Sequence, residues 1–280
     1  MQTIGLRIFD CPIRIETRDT LALKLVAACY SAFFDADAGA DPSALRCTIE
    51  ARAGGGAWQV LLGGAETGCN DVVDLVYALE KGLTIELQTL RRDLFFVHAA
   101  VVEMGPGSTL IAGASGAGKS TLCWGLCNEG CAYLSDELAP IDLAGMRIIP
   151  YPHALCLKGI TGGGYAAPAD CFRTPVTLHI PSERMPGGVA REPLPVANIV
   201  FLTGDPATGP SGLEEISHSE AAARLYATSL NQLAHEKDGL KAASRLAGAA
   251  RCFCIGRAEL PAMRRELLRL IGNRRSTDFQ

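Results

Sequence analysis

The chain has 280 residues, with 26 Lys and Arg against 30 Asp and Glu, so its formal net charge is −4. At 48% apolar and 20% charged it has ordinary globular composition, long enough for about two domains and for a substantial core without staples. The mild acidity argues against a protein that embraces a nucleic-acid backbone, and the spread of aliphatic residues excludes disorder.

Residues 1–92 read as a small α+β domain. Ile4–Phe9 and Ile13–Thr17 are short strand-like runs, and Asp19–Asp35 is expected to be one helix with Leu21, Leu25 and Ala28 on a common face. Cys47–Ala53 and Trp58–Leu62 predict a hairpin around Gly54-Gly55-Gly56. Asn70 or Asp71 is placed to cap a long helix to about Arg91, in which Val72, Leu75, Ala78 and Leu79 keep helical spacing.

From residue 93 to 280 the pattern is that of a second, larger α/β domain. Leu94–Glu103 and Ser108–Ala112 are β-prone runs joined through Gly105-Pro106-Gly107. A Gly-rich loop follows, then a helix over Lys119–Glu129. Further strands are expected at Ala132–Leu134, Met146–Pro150, Val176–Ile180, Val196–Leu202 and Arg251–Ile255. Helices are expected at Ser219–Leu230, Leu240–Ala250 and Leu260–Ile271. Residues 159–168, 186–188 and 204–212 are rich in Gly and Pro and read as loops.

The eleven cysteines bear on compartment. The first residues lack the basic start and apolar run of a secretory signal, and no stretch reaches the roughly 18 apolar residues of a membrane span. The expectation is a cytoplasmic protein with reduced thiols, free of membrane and nucleic acid. An odd count and the absence of Cys-x-x-Cys agree with this. Cys123, Cys127 and Cys131 recur every four residues, a spacing open to a metal or redox cluster but better explained as small buried apolar side chains.

The segment Gly113-Ala114-Ser115-Gly116-Ala117-Gly118-Lys119-Ser120-Thr121 matches G-x-x-x-x-G-K-[ST] in full, between an apolar strand and a helix. Glycines let the backbone curl so that N–H groups face phosphate oxygens. Lys119 supplies charge toward the β and γ phosphates, the Ser120 hydroxyl can ligate Mg²⁺, and the helix N-terminus adds its dipole. The expected cofactors are ATP and Mg²⁺. Neither the Asn-Lys-x-Asp of a Ras-type GTPase nor the Leu-Ser-Gly-Gly-Gln of an ABC ATPase is present. Instead Ala132-Tyr133-Leu134-Ser135 leads into Asp136 and Glu137, about 15 residues after Ser120. Two acids beside a phosphate site can divide metal binding from proton acceptance. Asp205 ends another apolar run, where a Walker B acid and a turn are both open readings.

Phe95-Phe96-Val97-His98-Ala99-Ala100, the Gly-rich loop, and Leu134-Ser135-Asp136-Glu137 stand in an order that resembles the catalytic domain of HPr kinase/phosphorylase. The chain is more similar still to HPr-kinase-related proteins of uncharacterised or peptide-tailoring gene clusters. The likeness covers roughly residues 94–205 well and residues 1–90 hardly at all. It implies an α/β fold of the HPr-kinase/PEP-carboxykinase type with a small N-terminal α+β domain. It further implies an ATP- and Mg²⁺-dependent kinase acting on a hydroxyl, that of a serine in a peptide or small protein. A small-molecule acceptor stays open, as does a regulatory or assembly ATPase module without phosphotransfer.

By the same resemblance, Asp136 is the general base, Glu137 stands where the family has a second Asp, and His98 matches a His near the reacting phosphate. Ser120, Asp136 and Glu137 are the metal candidates. Leu155-Cys156-Leu157-Lys158-Gly159 lies where the family has Leu-Glu-Ile-Arg-Gly, so Lys158 replaces the Arg as a substrate contact. Cys156 replaces the Glu, and a thiol is no substitute for a hard-metal carboxylate. His153, His179, His218 and His235 show no partner pattern and read as ordinary core or surface residues. The N-terminal domain is left two roles, substrate recognition or packing of a homo-oligomer.

Overall fold

The computed structural model describes residues 1–52, 57–158, 164–203, 212–235, 238–256 and 258–272. The predicted Gly54-Gly55-Gly56 turn, Gly159 and Asp205 lie outside these residues.

The first part of the chain builds β1 (Gln2–Ile8), β2 (Cys11–Thr17), α1 (Thr20–Tyr30), α2 (Ala36–Ala40), β3 (Leu45–Ala51), β4 (Trp58–Leu62), β5 (Ala65–Cys69) and α3 (Val72–Leu90). Its strands form one sheet in chain order, with β2 and β3 parallel and the other neighbours antiparallel. The strand β5 has no counterpart in the sequence reading. Its first four residues are exposed, so it carries no apolar alternation to read.

The helix expected over Asp19–Asp35 stops at Tyr30. Asp19 caps its start by accepting from the N–H groups of Leu21 and Ala22. At the other end Asp35 starts a new helix, accepting from the Ala38 N–H, while its own N–H bonds to the Gly5 carbonyl. An aspartate that offers its side chain to a following turn is a better cap than helix interior. Asp71, rather than Asn70, caps α3.

The second part supplies β6 (Leu94–Met104), β7 (Gly107–Gly113), α4 (Lys119–Asn128), β8 (Ala132–Ser135), β9 (Leu138–Asp142), β10 (Arg147–Ile148), β11 (Leu155–Lys158), β12 (Phe172–Arg173) and β13 (Thr177–Ile180). After these come β14 (Leu194–Thr203), β15 (Leu213–Glu215), α5 (His218–Thr228), α6 (Gly239–Gly248), β16 (Arg251–Gly256) and α7 (Leu260–Gly272). The main sheet runs β10-β9-β6-β7-β14-β16-β15, with β8 also paired to β6, and β11-β13-β12 form a small third sheet. The strands β7, β14 and β16 are parallel, the arrangement that βα crossovers impose.

Alternation along β6 sets the layers. Phe95, Val97, Ala99 and Val101 join the core beneath α5 and α6, whereas Ala100, Val102 and Met104 join the core beneath α4 and α7. Cys123, Cys127 and Cys131 are all buried in that second core, as small apolar side chains would be. A third cluster joins the first part of the chain to the second: Leu6, Leu25, Tyr30, Leu79 and Leu83 pack with Phe96, Leu138, Tyr151 and Ala154. No helix among the described residues is long and apolar enough to cross a membrane.

Candidate nucleotide site

The strand β7 ends at Gly113 and α4 begins at Lys119, so the Gly-rich loop is the connection between a central strand and a helix. Gly116 (φ +81°) and Gly118 (φ +99°) sit in the left-handed region, which a side chain on Cβ disfavours. Gly118 is the N-cap of α4, where no side chain competes for the first helical N–H groups. Lys119 is only 6% exposed. Its ammonium donates to the carbonyls of Gly113 (2.9 Å) and Ala114 (3.2 Å), back along its own loop. Burial, then the charge of Lys158, lowers its pKa, with Glu137 and Asp136 acting against both.

The two acids occupy the break between β8 and β9, strands that pair with different halves of β6. The sequence places them at the end of one short strand; here they are the hinge between two. Ser135 Oγ accepts from the Leu138 N–H at 3.2 Å, and the Ala99 N–H donates to the Glu137 carbonyl, which fixes the hinge against β6. The chain turns inward at Asp136, which is 3% exposed, and outward at Glu137.

Asp136 is held on both oxygens. The Tyr133 hydroxyl donates to Oδ1 at 2.9 Å and the Cys156 N–H donates to Oδ2 at 3.0 Å. The nearby Ser120 hydroxyl also favours its charged form. Burial nevertheless pushes the Asp136 pKa up, because the bonds and the nearby His153 offset only part of the desolvation. Glu137 has an exposed side chain seated in a recess. Desolvation there, then the charges of Asp136 and Glu80, raise its pKa too.

His98, on β6, places Nδ1 3.0 Å from the Glu137 carbonyl oxygen. A carbonyl can only accept, so Nδ1 carries the proton and Nε2 keeps its lone pair. Burial, then the charge of Lys119, lowers the pKa of this ring and keeps it neutral. Lys158, at the end of β11, is exposed, with Nζ 3.5 Å from Ser115 Oγ. His98, Lys119, Glu137 and Lys158 therefore gather at the loop, with Asp136 buried beside them. The Cys156 thiol is pushed up strongly by burial and stays neutral, while its backbone N–H is what positions Asp136. The loop glycines, Lys119 held beside them, and the oxygen donors of Ser120, Asp136 and Glu137 fit a phosphate chain with a hard divalent cation.

A separate cleft of about 740 Å³ lies between the first sheet and the 149–152 segment, with Arg7, Asp35, Arg91 and Arg191 in its wall and no residue of the Gly-rich loop. Three residues beside the site carry no signal in the sequence. Tyr133, invisible as a fully buried strand residue, orients Asp136. His153 and His179, read as ordinary, lie with Cys29 and Glu80 in a buried polar cluster behind Tyr133. The four come from separate elements, so no spacing in the sequence connects them. Among the others, His218 is exposed and His235 Nε2 meets the Leu94 carbonyl at 3.0 Å.

No family model matches the chain, and no curated protein matches it. Among solved structures it is similar to the HPr(Ser) kinase/phosphatase from Coxiella burnetii, at 13% identity and a TM-score of 0.37, over 66% of this chain and 99% of that one. A likeness at that level decides no chemistry, which is left to the residues themselves.

Proposed function

We propose that the chain is an ATP- and Mg²⁺-dependent phosphotransferase that moves the γ-phosphoryl group of ATP to a hydroxyl, that of a serine in a peptide or small protein. The observation that carries this reading is Asp136, a buried carboxylate oriented on both oxygens, near enough to the Lys119 of a complete G-x-x-x-x-G-K-[ST] loop for its charge to act on that ammonium. ATP would lie on the backbone of residues 113–121, with Ser120, Asp136 and Glu137 as the oxygen ligands for Mg²⁺. The bound ion would offset charge on the transferring phosphoryl group.

Ionised Asp136 takes the proton of the acceptor hydroxyl, and its raised pKa makes it the stronger base for that step. Lys119 brings its charge to the phosphate oxygens. Neutral His98 offers Nε2 as an acceptor, which positions a hydroxyl or a protonated phosphate oxygen without adding charge. Lys158 stands at the mouth as a contact for the incoming acceptor.

A second reading, a nucleotide-binding regulatory module without transfer, is favoured by one feature. Position 156 offers a neutral thiol where the resembled family has a carboxylate. Asp136→Asn separates the two. A kinase loses transfer of labelled phosphate by about 10²–10⁴-fold while retaining ATP. A binding module shows no transfer in the parent protein against any peptide or hydroxyl acceptor, and no change in the variant.

A further inference from the structure

Behind the nucleotide site lies a second polar constellation that the phosphotransfer chemistry does not use. Cys29 comes from α1, Glu80 from α3, His153 from the segment before β11, and His179 from β13. Cys29 is 1% exposed, His153 4% and His179 0%. His153 Nε2 lies 3.3 Å from Glu80 Oε1, and His179 Nδ1 lies 3.4 Å from the same oxygen. The ligand atoms of Cys29, Glu80 and His153 all fall within 4.8 Å of one another.

Two features distinguish this cluster from a buried hydrogen-bonded network. First, Glu80 Oε1, His153 Nε2 and His179 Nδ1 are all buried, and among the described residues none makes an aligned hydrogen bond. The three atoms crowd one another without an aligned hydrogen bond, so their contacts offset the cost of burial only in part. Second, the spacing has a simple cause. With bonds of about 2.0–2.3 Å, tetrahedral ligands stand roughly 3.3–3.8 Å apart, the separations seen here between nitrogen and oxygen.

We propose that Cys29, Glu80 and His153, joined by His179 from beside Glu80, form a structural Zn²⁺ site that ties the first sheet's helices to the nucleotide-binding part of the chain. One thiolate, one carboxylate and two imidazoles make a borderline-soft set that suits zinc over Mg²⁺ or Ca²⁺. The surroundings hold the rings in place. His179 Nε2 is 3.0 Å from Thr177 Oγ1, which turns Nδ1 toward the cluster. The His153 ring is stacked on Tyr151, with planes 8° apart, and meets the edge of Tyr30 at 4.8 Å. Binding would release to solvent the thiol proton and any proton that Glu80 holds on the two imidazoles, which ligate as neutral rings.

The site also reaches the nucleotide mouth. The Tyr133 hydroxyl, which orients Asp136, lies 2.9 Å from the His153 carbonyl. Fixing His153 therefore fixes one wall of the acid's pocket.

The full-length chain, purified without added metal, should contain about one zinc per chain by elemental analysis. A strong chelator should lower its thermal midpoint, and Zn²⁺ should restore it. Replacement by Co²⁺ should give the intense visible bands of a tetrahedral ion together with a near-ultraviolet thiolate charge-transfer band. In Cys29→Ser the thiolate band should vanish. In His179→Gln the visible bands should weaken or shift. A parent protein that holds no zinc, takes up no Co²⁺ and unfolds identically with and without chelator overturns the proposal and leaves a His–Glu ion pair. A thiolate band that persists in Cys29→Ser also overturns it, by placing the metal on another of the eleven cysteines. The parent-protein measurements decide the matter even where a variant does not fold.

Discussion

The molecule holds two polar constellations on either side of Tyr133, and they are built in opposite ways. The nucleotide mouth takes nine consecutive residues, 113–121, and adds an acid pair from the next strand break. Its charged groups face a recess open to solvent at Glu137 and Lys158. The cluster of Cys29, Glu80, His153 and His179 takes one residue from each of four elements. The first arrangement can change partners, because a ligand can replace the loop carbonyls that now hold Lys119. The second is buried apart from Glu80, whose side chain stays part-exposed. One is suited to turnover and the other to holding parts together.

The largest test of that contrast is on stability. Glu80→Ala leaves two buried imidazoles without their common carboxylate and should destabilise the protein by about 3–5 kcal/mol in chemical unfolding. Glu137→Ala, an acid of the same length with an exposed side chain, should cost under about 1 kcal/mol. Equal losses would mean that both constellations are structural, and the contrast would fail.

Lys119→Ala probes the other side. Among the described residues the ammonium is the one cation buried against the loop, so its loss should weaken ATP affinity by about 10–100-fold, the worth of a charge-assisted contact of roughly 1.5–3 kcal/mol. Unfolding should move far less than in Glu80→Ala, because Lys119 bonds only to its own loop. Unchanged ATP affinity would remove both the kinase and the binding-module readings.

The same contrast explains what the sequence made legible. Elements with strong periodicity were readable nearly to the residue: α3 under its Asp71 cap, β6, β7, α4 and α7. The loop was readable because its chemistry needs contiguous residues of fixed type. The misses share another cause. The exposed strand β5, and β9 with Pro140 inside it, lack alternation and draw their identity from strands they pair with. Asn231 was unreadable for the same reason: its side chain accepts from Phe96 N–H and donates to the Leu94 carbonyl, more than a hundred positions away. His153 and His179 were read as ordinary because their partners are known only once α1, α3 and β13 are assembled.

A smaller effect is expected at the loop glycines. A Cβ at Gly116 would meet nothing within 4 Å, so Gly116→Ala tests backbone conformation alone. At φ +81° the cost should be about 1–2 kcal/mol, with ATP affinity falling in parallel as the loop N–H groups lose their aim. A variant that loses stability without losing affinity would show that the glycine serves the fold and not the ligand.

The smallest expected effect is one of pH. Burial raises the pKa of both Asp136 and Glu137, so the folded chain holds these protons more tightly than the unfolded chain does. Their contribution to stability is therefore fully favourable below the ordinary carboxylate range and is lost as pH climbs through the raised values. The proposed phosphotransfer should have the opposite slope over that window, because a base at Asp136 would accept a proton only once ionised. Glu137→Gln should remove one of the two titrations. Its thermal midpoint, relative to the parent, should rise as pH increases from the acid range to neutrality. A relative midpoint that falls instead would mean that Glu137 is ionised by a partner in the fold, which would make the mouth as tightly paired as the cluster behind it.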